Sequence, residues 1–349
     1  MRAWADIDLG AVVANARTVA EAAGARLLPM VKANGYGLGA VRVARVLERA
    51  DPWGFGVATV QEGAELRRAG VLRPVMVFSP LHPHEVQLHL QHDLRPAIGD
   101  FEALQAWTGA TERPFHVEID TGMSRSGFRW SETGQIAQLL EQLPQFPGWE
   151  GMYTHFHSAD DGPSVTEEQW LRFQAILGQG KKRPALIHAA NSAAALRDRR
   201  YAGDLVRPGI FLYGGEAGGR YPVAVVQLKA RVVAVRQVRA GDSVSYGATW
   251  RAEAPTTVAT LGIGYADGVP RALAPRGRVE LNGRIVPLVG RVTMDMVMVA
   301  VADGQVKPGD EVTVYGGRVS LDQQAAAAGT ISYELLTGIG PRVTRRYVD

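Results

Sequence analysis

Between Leu27 and Ile210 the chain alternates short apolar runs with amphipathic stretches eight times over, and this repetition restricts the fold more than any other feature. Strand-length runs separated by segments with helical spacing are the pattern of repeated strand-helix units and a parallel sheet. The expected strands are Leu27 to Val31, Gly54 to Ala58, Val75 to Ser79, Arg95 to Ile98, His116 to Asp120, Gly151 to His155, Ala185 to His188 and Leu205 to Ile210. Eight such units fit a closed (β/α)8 TIM barrel better than an open sheet. In that architecture active sites form at the carboxyl ends of the strands, so polar residues there are examined first.

After Tyr213 the texture changes. The stretch GGEAGGRYP reads as a linker, and period-two patterns follow: VVQLKARVVAVRQV, TTVATLGIGYADG, GRVELNGRIVPLVG and VTMDMVMVAV. Asn282-Gly283 between two of these runs is a hairpin-turn signal. One short helix is expected around Leu321 to Ala328. The reading is therefore an α/β chain with a barrel over residues 9–220 and a mostly β C-terminal domain over 224–349. The N-terminal strand 1–8 (WADIDL) is expected to join the second domain.

Composition excludes several classes. With 349 residues, 46% hydrophobic and 21% charged, the chain is globular rather than disordered. Apolar runs stop short of the roughly 18 to 20 residues a bilayer helix needs, so no membrane is expected. The start, MRAWADIDLG, carries Asp6 and Asp8 where a secretory peptide needs an apolar stretch, giving a cytoplasmic expectation. Cysteine is absent, which removes disulfides, thiolate metal sites and a cysteine nucleophile. The net charge of +3 is spread without an aromatic-basic ladder, so no nucleic-acid partner is expected. The histidines at 82, 84, 89 and 92 read as a barrel outer helix with solvated faces, and no metal is expected.

Only five of the 38 basic residues are lysines: Lys32, Lys181, Lys182, Lys229 and Lys307. Lys32, in LLPMVKANGYGLG, follows the first barrel strand and so stands at the barrel mouth. An amine among apolar neighbours sheds its proton readily and can condense with an aldehyde cofactor. A solvated loop lysine is the alternative that position alone leaves open. The turn Gly35-Tyr36-Gly37 and the segments HAANSAAAL and VRPGIFLYG are candidate phosphate turns at the same mouth. Each is weak singly; their convergence beside Lys32 is not.

The segments VKANGYGLG, IDTGMSRSGF, THFHSAD, HAANSAAAL, VRPGIFLYG, VSYGATW, IGYADG, GRVTMDM and TISYEL resemble, in order, those of bacterial alanine racemases. The resemblance runs from WADIDLGAVVANAR to GPRVTRRYV. It implies interconversion of L- and D-alanine on pyridoxal 5'-phosphate, supply of D-alanine for peptidoglycan, and a homodimer whose sites are shared across the interface. It implies that Lys32 holds the cofactor and serves the D face, while Tyr246 reaches in from the neighbouring subunit and serves the L face. Two bases on opposite faces are what racemisation needs. His155 is similar to the histidine that contacts this tyrosine, and Arg207 to the arginine facing the pyridine nitrogen.

By the same resemblance, phosphate is held by Tyr36, Ser192, the backbone of Gly209 and Ile210, and Tyr333, with Asn191 adjacent. Arg125 contacts the cofactor and the substrate carboxylate, which the backbone of Met294 reaches from the other subunit. Tyr265 and Asp295 gate the entryway. Glu118 stands where many members carry a carbamylated lysine, so an Arg125-Glu118 pair is expected instead. Thr293 replaces a frequent cysteine, and TGIGPRV departs from the usual segment near the end. A racemase of wider scope, including serine, remains an alternative. A basic amino-acid decarboxylase lacks its usual cysteine here, and a non-catalytic cofactor carrier leaves the β domain unexplained.

Overall fold

The computed structural model describes residues 1–301 and 305–348. Eight parallel strands build the barrel: β2 (Arg26–Leu27), β3 (Phe55–Val57), β4 (Val75–Pro80), β5 (Arg95–Ile98), β6 (Phe115–Asp120), β8 (Trp149–Tyr153), β9 (Leu186–His188) and β10 (Leu205–Val206). They follow β1 (Ala3–Asp8), and the two-residue β7 (Phe128–Arg129) adds to β6. All eight expected strands are present, several shorter than their apolar runs. The chain leaves the ladder early to build loops at the strand ends. Closure is made by single bridges: Met30 pairs with Gly56, Asn191 with Arg207, and Leu28 N–H bonds to the Val206 carbonyl at 2.8 Å.

Two of the helices that cover the barrel start on side-chain caps. Asp8 accepts from Ala11 N at 2.7 Å to start helix Leu9–Ala23. Thr59 and Glu62 form a reciprocal capping box on helix Val60–Arg68. Inside the barrel, Leu28, Met76, Ala97, Tyr153, Leu186 and Leu205 form a separate buried cluster.

The histidine-rich segment departs from expectation. It divides into a 3-10 turn, Pro83–Glu85, and helix Val86–Gln91, and His89 faces inward. Its ring is buried edge-on to Trp107 at 6.1 Å, with Nδ1 3.1 Å from the Glu85 carbonyl. Only part of that segment is solvated, because His89 falls on the helix face that packs against the barrel.

The C-terminal unit contains β11 (Val226–Val238), β12 (Ser243–Val244), β13 (Trp250–Arg251), β14 (Thr256–Leu261), β15 (Arg278–Leu281), β16 (Arg284–Pro287), β17 (Val297–Val301), β18 (Glu311–Tyr315) and β19 (Thr344–Val348). Its main sheet runs β16-β15-β18-β11-β1-β19, with β14 attached to β11 and β17 to β14. The N-terminal strand does join this sheet, antiparallel to β11 and parallel to β19. Asn282 and Gly283 both take positive φ and close the β15–β16 hairpin. The expected helix is found at Leu321–Ala328. Asn15 fixes the crossing segment, donating to the Val223 carbonyl at 2.9 Å and accepting from its N–H at 2.8 Å. No helix among the described residues is long and apolar enough to cross a membrane.

Candidate active site

A cleft of about 140 Å³ opens at the carboxyl ends of the barrel strands. Lys32, Tyr36, Glu118, Arg125, His155, Asn191, Ser192, Arg207, Gly209 and Tyr333 all line it, so ten residues singled out in the sequence converge. All but Tyr333 come from the barrel. Ile210 lies one residue beyond Gly209, buried at the start of the turn Ile210–Tyr213.

Lys32 opens an unusual turn. Ala33, Asn34, Gly35, Tyr36 and Gly37 all adopt positive φ, a left-handed run in which each non-glycine residue stores about 1 kcal/mol or more. Fixed hydrogen bonds hold it: Ala33 N–H donates to Glu62 Oε1 at 2.7 Å, and Ala40 N–H to Asn34 Oδ1 at 3.0 Å. Glu62 Oε2 also accepts from Ala58 N at 2.7 Å, so one carboxylate braces the loops after β2 and β3. Burial first, then the positive field of Arg125, lowers the Lys32 amine below the ordinary lysine range; Glu62 opposes this, and Arg207 adds the smallest lowering effect.

Arg207 is buried, 3% exposed. Its Nη1 donates to the His188 carbonyl at 2.9 Å and to His188 Nδ1 at 2.7 Å. Its Nη2 donates to the carbonyls of Thr154 (2.8 Å) and Ala189 (3.0 Å) and lies 3.2 Å from His155 Nδ1. Burial lowers this guanidinium to about 10, which leaves it cationic at neutral pH. Burial and the neighbouring cations Arg207, Arg125 and Lys32 lower His155 to about 3, so its ring is neutral. Since Nδ1 faces an arginine donor, the ring proton sits on Nε2.

Tyr36 stacks on Tyr213 with ring centroids 4.4 Å apart, and Tyr333 lies 5.9 Å away. Gly209 permits a close approach: a Cβ there would stand 2.2 Å from the Tyr36 hydroxyl. Gly209 N–H donates to Ser192 Oγ at 2.9 Å, which leaves the Ser192 hydroxyl proton free to point onward. Asn191 Oδ1 is occupied as the cap of helix Ser192–Arg197, accepting from Ala194 N at 3.0 Å.

The expected Arg125-Glu118 pair is not made. Glu118 instead accepts from Ser126 Oγ at 2.7 Å, while Arg125 stands exposed in the loop and acts on the carboxylate only through its field. Asp120 sets that loop by accepting from Gly122 N at 2.9 Å and Ser124 N at 3.0 Å, which turns Ser126 rather than Arg125 toward Glu118. Burial pushes the Glu118 carboxyl up.

Four residues do not reach the cleft within one chain. Tyr246 lies in the turn Tyr246–Ala248, 72% exposed. Tyr265 and Met294 are also exposed and joined through backbone bonds, Ala266 N donating to the Met294 carbonyl at 3.0 Å. Asp295 pairs with Arg342 at 2.8 Å. Sequence reasoning missed Glu62, Met30, Phe78 and Tyr153, the last three of which also line the cleft. Inward alternation along β4 and β8 was the signal for Phe78 and Tyr153. Among the described residues, no group of three or more His, Cys, Asp or Glu side chains is arranged to hold a metal ion.

Residues 7–217 match the family described as alanine racemase, N-terminal domain, and residues 225–347 match alanine racemase, C-terminal domain. The chain belongs to the alanine racemase family. An alanine racemase of Symbiobacterium thermophilum is 40% identical, the alignment covering 99% of this chain and 96% of the relative. The biosynthetic alanine racemase of Pseudomonas aeruginosa superimposes with a TM-score of 0.92 at 33% identity, each chain fully covered. The Bartonella henselae alanine racemase, solved with covalently bound pyridoxal phosphate, gives 0.92 at 31% identity, again over both full chains. Members of the alanine racemase family are pyridoxal-phosphate isomerases, and this chain carries both of the family's domains over nearly its whole length.

Proposed function

We propose that this chain interconverts L- and D-alanine, with pyridoxal 5'-phosphate held in the Lys32 cleft and the site completed by a second copy of the chain. The observation that carries the reading is the pairing of a half-buried amine of lowered pKa at Lys32 with a buried arginine at Arg207 in one cleft.

The residues present fit the cofactor. Lys32 supplies the amine. Tyr36, Tyr333 and the Ser192 hydroxyl, with the backbone around Gly209 and Ile210, supply donors suited to a phosphate. The terminal nitrogens of Arg207 are committed to the protein, and its Nε–H is the donor left for a ring nitrogen. When bound, pyridoxal phosphate supplies a conjugated electron sink that acidifies the α C–H of the amino acid. Arg207, which offers donors and no acceptor, would hold the ring nitrogen and leave it unprotonated, which would disfavour routes beyond proton exchange.

Lys32 Nζ takes or returns the α proton on one face. The phenol of Tyr246 from the second copy does so on the other. His155, neutral with its proton on Nε2, is able to donate to that phenol oxygen and favour its anion. Arg125 at the mouth receives the substrate carboxylate together with the backbone of Met294 from the second copy, and Tyr265 and Asp295 border the route in. Exposure of Tyr246, Tyr265, Met294, Met296 and Ile331 on one chain supports a face that a second copy covers. Cytoplasmic supply of D-alanine for peptidoglycan completes the reading.

The test is incubation with pyridoxal phosphate and each enantiomer of alanine and of serine in deuterated water, following optical rotation and α-deuterium incorporation. Alanine racemising far faster than serine, with exchange at Cα, is the expected result. Exchange without loss of rotation would overturn the two-face scheme.

A further inference from the structure

A line of hydrogen bonds continues from Arg207 through the barrel interior, away from the cleft. His188 Nε2 lies 2.8 Å from His116 Nδ1, and His116 Nε2 lies 3.1 Å from Glu150 Oε2. Glu150 is in turn held by Arg95, whose Nε donates to Oε2 at 2.7 Å. Both imidazoles are completely buried. The line starts at the carboxyl end of β9 and ends near the amino ends of β5 and β8, where Arg95 and Glu150 stand.

Its two ends fix the sense of every proton. A guanidinium only donates, so His188 Nδ1 must be the acceptor and the His188 proton sits on Nε2. That proton points at His116 Nδ1, so the His116 proton must sit on Nε2 and be donated to the Glu150 carboxylate. Reversing either ring would set two N–H groups against each other in a buried space.

We propose that His116 and Glu150 are positioning residues for the reaction: they lock the His188 tautomer that receives the Arg207 guanidinium and so hold Arg207 at the cofactor ring. The surroundings are built to the same end. Gly151 lets the His116 ring lie flat on the backbone, since a Cβ there would stand 2.3 Å from His116 Nδ1. Tyr153 stacks on His188 at 4.9 Å and 7°, and Trp53 lies 5.7 Å from His116 under the Arg95 guanidinium. Burial lowers both histidines, in keeping with neutral rings.

The inference rests on the proposed function only for what Arg207 touches; the proton order itself belongs to the chain. The first test is 15N NMR of the full chain labelled at its eight histidines. Two imidazoles protonated only on Nε2, shielded from solvent exchange and insensitive to pH from 6 to 9, are expected; a proton on Nδ1 of His116 or His188 overturns the proposal. The second compares Glu150→Leu with Glu150→Gln in the cofactor-loaded protein. Glu150→Leu is expected to lower kcat about tenfold or more with KM little changed and to shift the cofactor's visible band. Glu150→Gln, whose carboxamide oxygen still accepts from His116, restores most of both. Equal behaviour of the two variants, or a Glu150→Leu protein indistinguishable from the parent, overturns it. Should Glu150→Leu not fold, the tautomers of the unaltered chain decide. A chain with no turnover but the expected tautomers overturns the proposed function and leaves the proton order standing.

Discussion

Arg207 Nη2 lies 3.2 Å from His155 Nδ1, so one buried cation decides which nitrogen of a neutral imidazole carries the proton. The same cation fixes His188 from its other terminal nitrogen. His155 is thereby an Nε2 donor at neutral pH and carries no second proton there.

The proposed sharing of the site between two copies makes a specific prediction. Lys32→Ala and Tyr246→Phe should each lower racemisation by about 10² to 10⁴, the usual range for loss of an acid-base group. Mixing the two inactive proteins under subunit exchange should recover about a quarter of the parental rate, because half of the dimers are hybrids with one intact site. A mixture that stays inactive while hybrids form, seen by native mass spectrometry, would remove Tyr246 from the partner's site.

The phosphate cradle depends on contact between Gly209 and Tyr36. Gly209→Ala should weaken pyridoxal phosphate binding by about tenfold, since its methyl group displaces the Tyr36 hydroxyl. Tyr36→Phe in the same chain should recover part of the loss. Spectrophotometric titration of the four proteins gives the coupling energy, and simple additivity would count against direct contact.

Acid lability follows from the imidazoles. His116, His155 and His188 are all lowered by burial, so in mild acid the unfolded chain binds more protons than the folded one. The sign is then fixed: unfolding free energy rises with pH in this window and falls as pH drops from 6.5, by about 1.4 kcal/mol per pH unit for each histidine that charges on unfolding. Urea midpoints of the cofactor-free protein at pH 7, 6 and 5 measure the slope. His155→Asn should reduce it by about one proton; an unchanged slope would show that His155 charges in the folded state.

Lys32 behaves in the same sense at higher pH. Its lowered pKa predicts that the rate of cofactor capture reaches a plateau at a pH below the ordinary lysine value of 10.5. Glu62→Gln, which removes the one nearby group acting to raise it while keeping an acceptor for Ala33 N–H, should move that plateau lower still. Stopped-flow absorbance across pH 7 to 11 reads both.

Much of this architecture was legible because it is periodic. Eight apolar runs announced eight strands, Asn282-Gly283 announced its hairpin, and the scarcity of lysine left Lys32 conspicuous. What escaped was contact between residues far apart in the chain. Glu62 looks like an ordinary capping glutamate, and only the closeness of two loops turns its second oxygen toward Ala33. His116 and Glu150 sit inside apolar strands where a polar residue has meaning only through its partner on the next strand. The Arg125-Glu118 expectation failed for a related reason. The resemblance puts Glu118 where a partner of Arg125 is expected, but the Asp120 turn decides which side chain faces the carboxylate, and it presents Ser126.

The placement of β1 between β11 and β19 has a bearing on biogenesis. Arg346 bonds Asp6 at 2.6 Å across 340 positions of sequence, so β1 gains its β19 neighbour only after all the strands between them have been made. Most barrel strands pair with partners a few dozen residues away and can assemble during synthesis, whereas β2 must wait for β10, and this sheet stays open along one edge until β19 is made. A nascent chain stalled before β19 would present one edge of β1 unpaired, inviting capture by a chaperone or by a sister chain.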